Sequence, residues 1–115
     1  MFATRSPTTL TELGRRVAED NRLDGMVDRN WPGIGESLRG LGTSNPYDIQ
    51  RFCLEATFTM PEKFFTKDDL DRLKFIAYRD GLPLISVTRV VGLLIQDRYF
   101  AENGIGADEP DRHAP

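Results

Sequence analysis

The chain has 115 residues, of which 39% are apolar and 29% charged, and its formal net charge is −3. This length corresponds to one domain at most, and no apolar run approaches the roughly 20 residues that a membrane-spanning helix needs. The N-terminal residues lack the apolar stretch of a signal peptide. We therefore expect a soluble, cytoplasmic protein that makes no contact with a membrane.

The composition leaves little material for catalysis or metal binding. The single cysteine, Cys53, excludes an intramolecular disulfide and a multi-cysteine metal site, and it is typical of a reducing compartment. The single histidine, His113, lies among charged residues near the C-terminus, where it cannot anchor a buried catalytic triad. We expect no cofactor, no bound metal and no enzymatic activity.

Residues 1–50 are predicted to form an N-terminal arm with one helix followed by a Gly/Pro-rich linker. Thr9 and Glu12 have the spacing of a capping box, in which each side chain can bond to the backbone of the other residue. The apolar residues that follow this cap at helical spacing are Leu10, Leu13 and Val17.

The linker prediction covers residues 30–46, where glycines, prolines and small polar residues accumulate. This composition favours a loop, with one short helical turn at residues 36–39. Trp31 lies in this segment, and tryptophan is enriched at the hot spots of protein interfaces. Trp31 is therefore a candidate partner-binding residue, and residues 9–45 are a candidate surface for a protein partner.

Residues 51–60 alternate strictly between apolar and polar side chains, which is the signature of a half-buried strand. The predicted inward face consists of Phe52, Leu54, Ala56, Phe58 and Met60. Pro61 ends the strand, because proline cannot donate a hydrogen bond to a ladder.

Two helices are predicted after the strand. The first begins after Thr66, a capping residue followed by acids, and it stops at Gly81. The second begins near Ser86, carries a broad apolar stripe and stops at Gly104. Gly92 lies in the middle of that stripe, which indicates that another backbone approaches closely there.

The order of strand, proline, glycine-bounded helix and serine-capped helix over residues 51–104 resembles the ribbon-helix-helix fold of Arc-type repressors. One strand leaves two unpaired edges, and a unit of this size is near the lower limit for an independent fold. Pairing two copies solves both problems. We therefore predict a mainly α protein with one short β-strand: a strand-helix-helix dimerisation domain, forming an intertwined homodimer, with the N-terminal helical arm and a disordered, dispensable acidic tail at residues 105–115.

The resemblance implies that the paired strands enter the DNA major groove and that the second helix holds a phosphate at its N-terminus. On this interpretation the nucleic-acid-binding residues are Arg51, Glu55, Thr57 and Thr59 on the strand, with Ser86, Val87 and Arg89 at the second helix.

We therefore predict a small dimeric DNA-binding transcriptional regulator, a repressor, that reads its site with a two-stranded ribbon. Residues 51–104 carry eight basic and eight acidic side chains, so binding should depend on a specific site and not on general attraction to phosphate. Residues 65–76 also resemble the helix that follows the wing in MerR-type regulators, which leads to the same class. The alternative is a non-catalytic protein-binding adaptor or inhibitor that acts through the N-terminal helix and the Trp31 loop.

Overall fold

The computed structural model describes residues 10–104, which fold into seven helices and contain no β-strand. The helices are α1 (Glu12–Asn21), α2 (Leu23–Arg29), α3 (Trp31–Arg39), α4 (Pro46–Phe58), α5 (Pro61–Phe64), α6 (Lys67–Asp80) and α7 (Leu84–Asn103). The predicted cap Thr9 and the predicted acidic tail at residues 105–115 lie outside the described residues. Every helix within residues 10–104 is too short or too polar to traverse a lipid bilayer.

Helix α7 forms the centre of the fold and contacts α1, α2, α4 and α6. Val87, Val91 and Ile95 are among its many buried residues. A helix that is apolar over most of its circumference has to be covered on several sides. The sequence predicted that a second chain supplies this cover. Other helices of the same chain supply it instead, so the predicted intertwined homodimer is wrong.

The predicted strand at residues 51–60 is also wrong, because most of this segment belongs to helix α4. The Asn45 side chain accepts a hydrogen bond from the Tyr47 amide (2.9 Å), and Pro46 occupies the first helical position, where its missing N–H costs nothing. A helix therefore begins five residues before the predicted strand. Its buried face repeats at helical spacing and not at alternate positions: Ile49, Cys53, Ala56 and Thr57.

This correction removes the strand-helix-helix unit and with it the predicted ribbon-helix-helix fold class. Residues at alternate positions include pairs that are four positions apart, which is also a helical spacing. The apolar pattern of residues 51–60 therefore fits a helix as well as a strand. The predicted faces hold only in part: Ala56 is buried and Glu55 is exposed as predicted, but Cys53, predicted to point outward, is fully buried, and Phe58, predicted to point inward, is 40% exposed. Tertiary packing against α7 selects the helical pattern, because no second strand is present within residues 10–104 to form a ladder.

The predicted linker contains helix α3, so the loop prediction is wrong for residues 31–35, and the helical turn predicted at residues 36–39 is the last part of this helix. Pro32 lies at the start of the helix, where proline is tolerated, and the glycines do not prevent the helix because its apolar face is well buried. That face consists of Trp31, Ile34, Gly35 and Leu38.

The N-terminal helices pack into the same hydrophobic core as the rest of the chain instead of projecting as an arm. Helix α1 is confirmed, with Thr11 as its cap in place of the predicted Thr9, and the Thr11 side chain accepts from the Gly14 amide (3.2 Å). The Asn21 side chain accepts a hydrogen bond from Arg79 of α6 (2.5 Å). Helix α4 runs across the domain boundary that was predicted between residues 50 and 51.

The predicted ends of the last two helices agree with the structure at three of four positions. Thr66 caps α6, and Gly81 and Gly104 end α6 and α7 in the left-handed conformation, with φ of 66° and 63°. The exception is the start of α7, which lies at Leu84 and not near Ser86. Pro83 occupies the cap position, where its fixed φ suits the entry into a helix.

Asp69 links the start of α6 to the end of α2. Its amide donates to the Thr66 hydroxyl (3.1 Å) and its carboxylate accepts from the Thr66 amide (3.4 Å), which completes a capping box. The same carboxylate accepts from Arg29 (2.8 Å) and Asn30 (3.0 Å). Burial opposes ionisation of this group, but the hydrogen bonds from Asn30, Arg29 and Thr66 outweigh burial and hold the pKa of Asp69 below its ordinary value.

Asp69→Asn should therefore lower the free energy of unfolding by about 1–2 kcal/mol at neutral pH, because it removes a charged acceptor from three partners. The folded-state pKa lies below the unfolded value, so the contribution of the carboxylate is present above about pH 4 and is lost as the pH falls through the folded pKa. Urea unfolding of both proteins at pH 7 and near pH 2 measures this. Asp68→Asn, at an exposed position one residue earlier, serves as control. A difference between wild type and Asp69→Asn that persists unchanged near pH 2 would contradict the assignment.

Candidate functional site

The residues predicted to read DNA from a strand lie on and just after α4 and do not share one face. Arg51, Glu55 and Thr59 are exposed and follow one another at intervals of four residues along the same side. Thr57 is buried, and its hydroxyl donates to the carbonyls of Leu54 (3.0 Å) and Cys53 (3.4 Å) of its own helix. Thr57 is therefore a core residue in this fold and is not available to a base edge.

The predicted phosphate-binding residues lie in the first two turns of α7. Ser86 and Arg89 are exposed, whereas Val87 is completely buried. Ser86 is not the cap of the helix, and its amide donates to the Pro83 carbonyl (3.0 Å). The predicted site residues thus lie on two separate helices and do not form the predicted ribbon surface.

Trp31, the predicted partner anchor, is a core residue at the start of α3. It is 9% exposed, and the Arg98 guanidinium lies over its ring, 4.4 Å from the ring centroid. Arg98 also donates to Asp28 (2.6 Å) and Glu102 (3.2 Å), which fixes the guanidinium over the indole. Trp31 therefore joins α3 to α7 within the chain and does not offer its ring to a partner.

Cys53 lies on the buried face of α4. Burial, together with the nearby negative charge of Asp97, raises the pKa of the Cys53 thiol to about 12. The thiol is therefore protonated at neutral pH, and the nucleophilic, metal-binding form of cysteine is the thiolate. Burial also raises the pKa of Asp97, and the charge of Arg15 partly opposes this effect.

A depression of about 450 Å³, which we call the apolar groove, lies where α4, α5, α6 and α7 meet. Most of its lining is apolar, and side chains from all four helices contribute to it. The lining residues are Thr57, Phe58, Pro61, Glu62, Leu70, Leu73, Lys74, Leu84, Ile85 and Thr88.

The positions at which helices end and begin place the residues that line the groove. Helix α4 ends at Phe58, and the four-residue helix α5 separates that end from the capped start of α6. On the other side, Pro83 sets the start of α7 so that Leu84 and Ile85 occupy its first turn. The buried residues of α7 begin at Val87, so Leu84 and Ile85 lie before the part of the helix that the core covers. They are 42% and 60% exposed and border the groove.

The groove has few polar side chains, and its two hydroxyl groups already donate hydrogen bonds within the chain. The hydroxyls of Thr57 and Thr88 both donate to carbonyls of their own helices. Two charged side chains line the groove, Glu62 from α5 and Lys74 from α6. Within residues 10–104, no group of three or more potential ligand side chains is arranged to hold a metal ion. The groove is therefore suited to apolar side chains, with two opposite charges available to orient them.

Sequence reasoning did not find the groove residues as a site. One signal was available: Leu84 and Ile85 follow Pro83 directly, and proline suits the entry into a helix, so the helix can begin at Leu84. Assigning the start to Ser86 placed both residues in a turn and hid this consequence.

A second, smaller depression of about 270 Å³ lies between α1 and α7. Leu13, which is 59% exposed, lies at its edge together with Leu82 and Arg89. This depression is where the exposed predicted residues Ser86 and Arg89 are found.

No family model, curated protein or solved structure matches this chain. The geometry of the described residues is therefore the basis for a functional assignment.

Proposed function

We propose that this chain is a non-catalytic protein-interaction domain that binds an apolar segment of a protein in the apolar groove. The observation that carries the proposal is the convergence of three exposed apolar side chains, Phe58, Leu84 and Ile85, on one depression of about 450 Å³. Leaving large apolar side chains in water is unfavourable, and burying one fully gains roughly 1.5–3 kcal/mol. An exposed apolar patch of this kind is typical of an interaction site.

The arrangement of the groove supports an interface with a protein segment. Leu70 and Leu73 contribute apolar lining, while Glu62 and Lys74 supply charge of each sign. Protein interfaces combine an apolar centre with a polar rim, and rim charges contribute to orientation and specificity. An amphipathic helix with apolar residues at positions i and i+3 or i+4 suits such a groove.

This proposal keeps the predicted adaptor class but assigns it to a different surface. Trp31 belongs to the core, and the candidate surface moves from residues 9–45 to the groove formed by α4–α7. DNA binding stays a prediction, and selection of binding sites from random duplexes is its test. The ribbon mechanism is not proposed again, because residues 51–58 are helical.

The proposal can be tested by selecting helical peptides from a displayed library against the immobilised full chain. Ile85→Glu is the informative variant, and Leu13→Glu is its matched control. Both residues are the second residue of their helices and are equally exposed, at 60% and 59%. A glutamate in the first turn is compatible with the helix dipole in both cases, so circular dichroism should show both variants folded.

We expect enriched peptides that carry two apolar anchors one helical turn apart. Ile85→Glu should weaken their binding by at least roughly thirtyfold, because a central apolar contact of an interface contributes about 2 kcal/mol or more, whereas Leu13→Glu should leave it unchanged. Equal binding by the two variants, or a selection without any enriched peptide, would overturn the proposal.

A further inference from the structure

We propose that the occupant of the apolar groove is a second copy of this chain, docked groove to groove about a two-fold axis. This inference rests on the proposed function, because it assigns a partner to the same site. It differs from an intertwined dimer, since each copy keeps its complete core and contributes only surface residues to the contact.

The shape of the surface is the first argument. The groove presents both a depression and projecting side chains at its border, with Ile85 60% exposed beside a volume of about 450 Å³. In a two-fold interface the same patch faces itself, so a side chain from one copy that enters the other's depression is matched by the reciprocal contact. A patch that has both a projecting side chain and a depression can therefore pair with a second copy of itself.

Charge complementarity is the second argument. Glu62 and Lys74 have opposite charges and lie on different helices that line the groove. A two-fold axis through the groove can bring Glu62 of one copy to Lys74 of the partner subunit, and the symmetry then repeats the pair. A patch of a single charge sign would repel its own copy, whereas this patch carries both signs.

The size of the surface sets the strength of the contact. A stable interface buries about 800 Å² and roughly 20–30 residues on each partner, whereas ten residues line the groove. Tyr78, which is 86% exposed, lies one turn beyond Lys74 on α6 and extends the surface. We therefore expect a dimer that dissociates on dilution.

Sedimentation equilibrium of the full chain across a wide concentration range tests the inference. Wild type and Leu13→Glu should show the same monomer–dimer equilibrium. Ile85→Glu should weaken dimerisation by at least roughly thirtyfold, because it places a carboxylate from each copy in the apolar contact.

Charge reversal provides a second test that does not depend on the apolar residues. Glu62→Lys and Lys74→Glu should each weaken the dimer, roughly tenfold, because each creates two like-charged contacts across the axis. Mixing the two variants should restore dimerisation, since every contact in the mixed dimer then joins opposite charges. The double variant should dimerise with itself for the same reason.

The outcomes separate this inference from the proposed function. A chain that stays monomeric at all concentrations, yet binds selected peptides in a manner that Ile85→Glu abolishes, overturns the second copy as occupant and leaves the proposed function standing. Dimerisation that Ile85→Glu does not weaken, or that mixing the charge variants does not restore, also overturns this inference. Failure of both dimerisation and peptide binding overturns both proposals.

Discussion

Trp31→Ala should destabilise the protein by roughly 3–5 kcal/mol, the range typical of a buried tryptophan replaced by alanine. Trp31 is almost completely buried at the start of α3, and its loss leaves a cavity and removes the ring that Arg98 stacks on. Because small domains are stable by only about 5–15 kcal/mol, the melting temperature should fall by at least about 10 °C.

Two controls distinguish a core residue from a partner anchor. Trp31→Phe keeps an aromatic ring in the core and should lose less stability than Trp31→Ala. Tyr78→Ala removes an aromatic side chain that is exposed, and it should change the free energy of unfolding by no more than about 0.5 kcal/mol. Thermal melts followed by circular dichroism measure all three. An unchanged melting temperature for Trp31→Ala would return this residue to the role of a partner anchor.

Gly92→Leu should lower the free energy of unfolding by roughly 3 kcal/mol, at the upper end of the usual cost of overpacking. A Cβ atom at this position would lie 3.0 Å from Leu54 Cδ2 and 3.3 Å from both the Cys53 carbonyl oxygen and the Thr57 hydroxyl. The carbonyl belongs to the backbone of α4 and cannot move without shifting that helix. Even Gly92→Ala should therefore destabilise the protein.

Gly14→Ala is the matched control for Gly92→Ala, the substitution at the contact between α7 and α4. A Cβ atom there would lie 3.4–3.6 Å from its nearest neighbours, at ordinary contact distance. Because alanine favours a helix interior over glycine by about 1 kcal/mol, Gly14→Ala should leave stability unchanged or raise it. Urea unfolding measures the free energy of each variant. If both alanine variants change stability in the same direction and to the same extent, α4 and α7 do not cross as closely as described.

Both predictions concern contacts within one chain, although sequence reasoning attached the same residues to contacts with other molecules. The sequence identified Gly92 as a place of close backbone approach, and this is confirmed, but the approaching backbone is α4 and not a second copy. Trp31 was recognised as an anchor, but what it anchors is α3 against Arg98 of α7. Residue type indicated a tight or specific contact in each case without indicating its partner.

The candidate site was less accessible to sequence reasoning than the helices were. Phe58 was predicted to face the core because residues 51–60 alternate, and it is exposed because α4 is helical. Leu84 and Ile85 were placed in a turn. A groove depends on where helices end relative to one another, and local patterns located neither the end of α4 nor the start of α7 correctly.

The sequence by itself determined those features that depend on a few neighbouring residues. The capping box at Thr66 and the left-handed glycines Gly81 and Gly104 satisfy unpaired backbone groups locally, so they can be recognised without knowing the fold. Only the tertiary structure decided between strand and helix for residues 51–58 and between loop and helix for residues 31–35. Their local patterns were compatible with either state, and burial of one helical face against the rest of the core supplied the free energy that selected the helix.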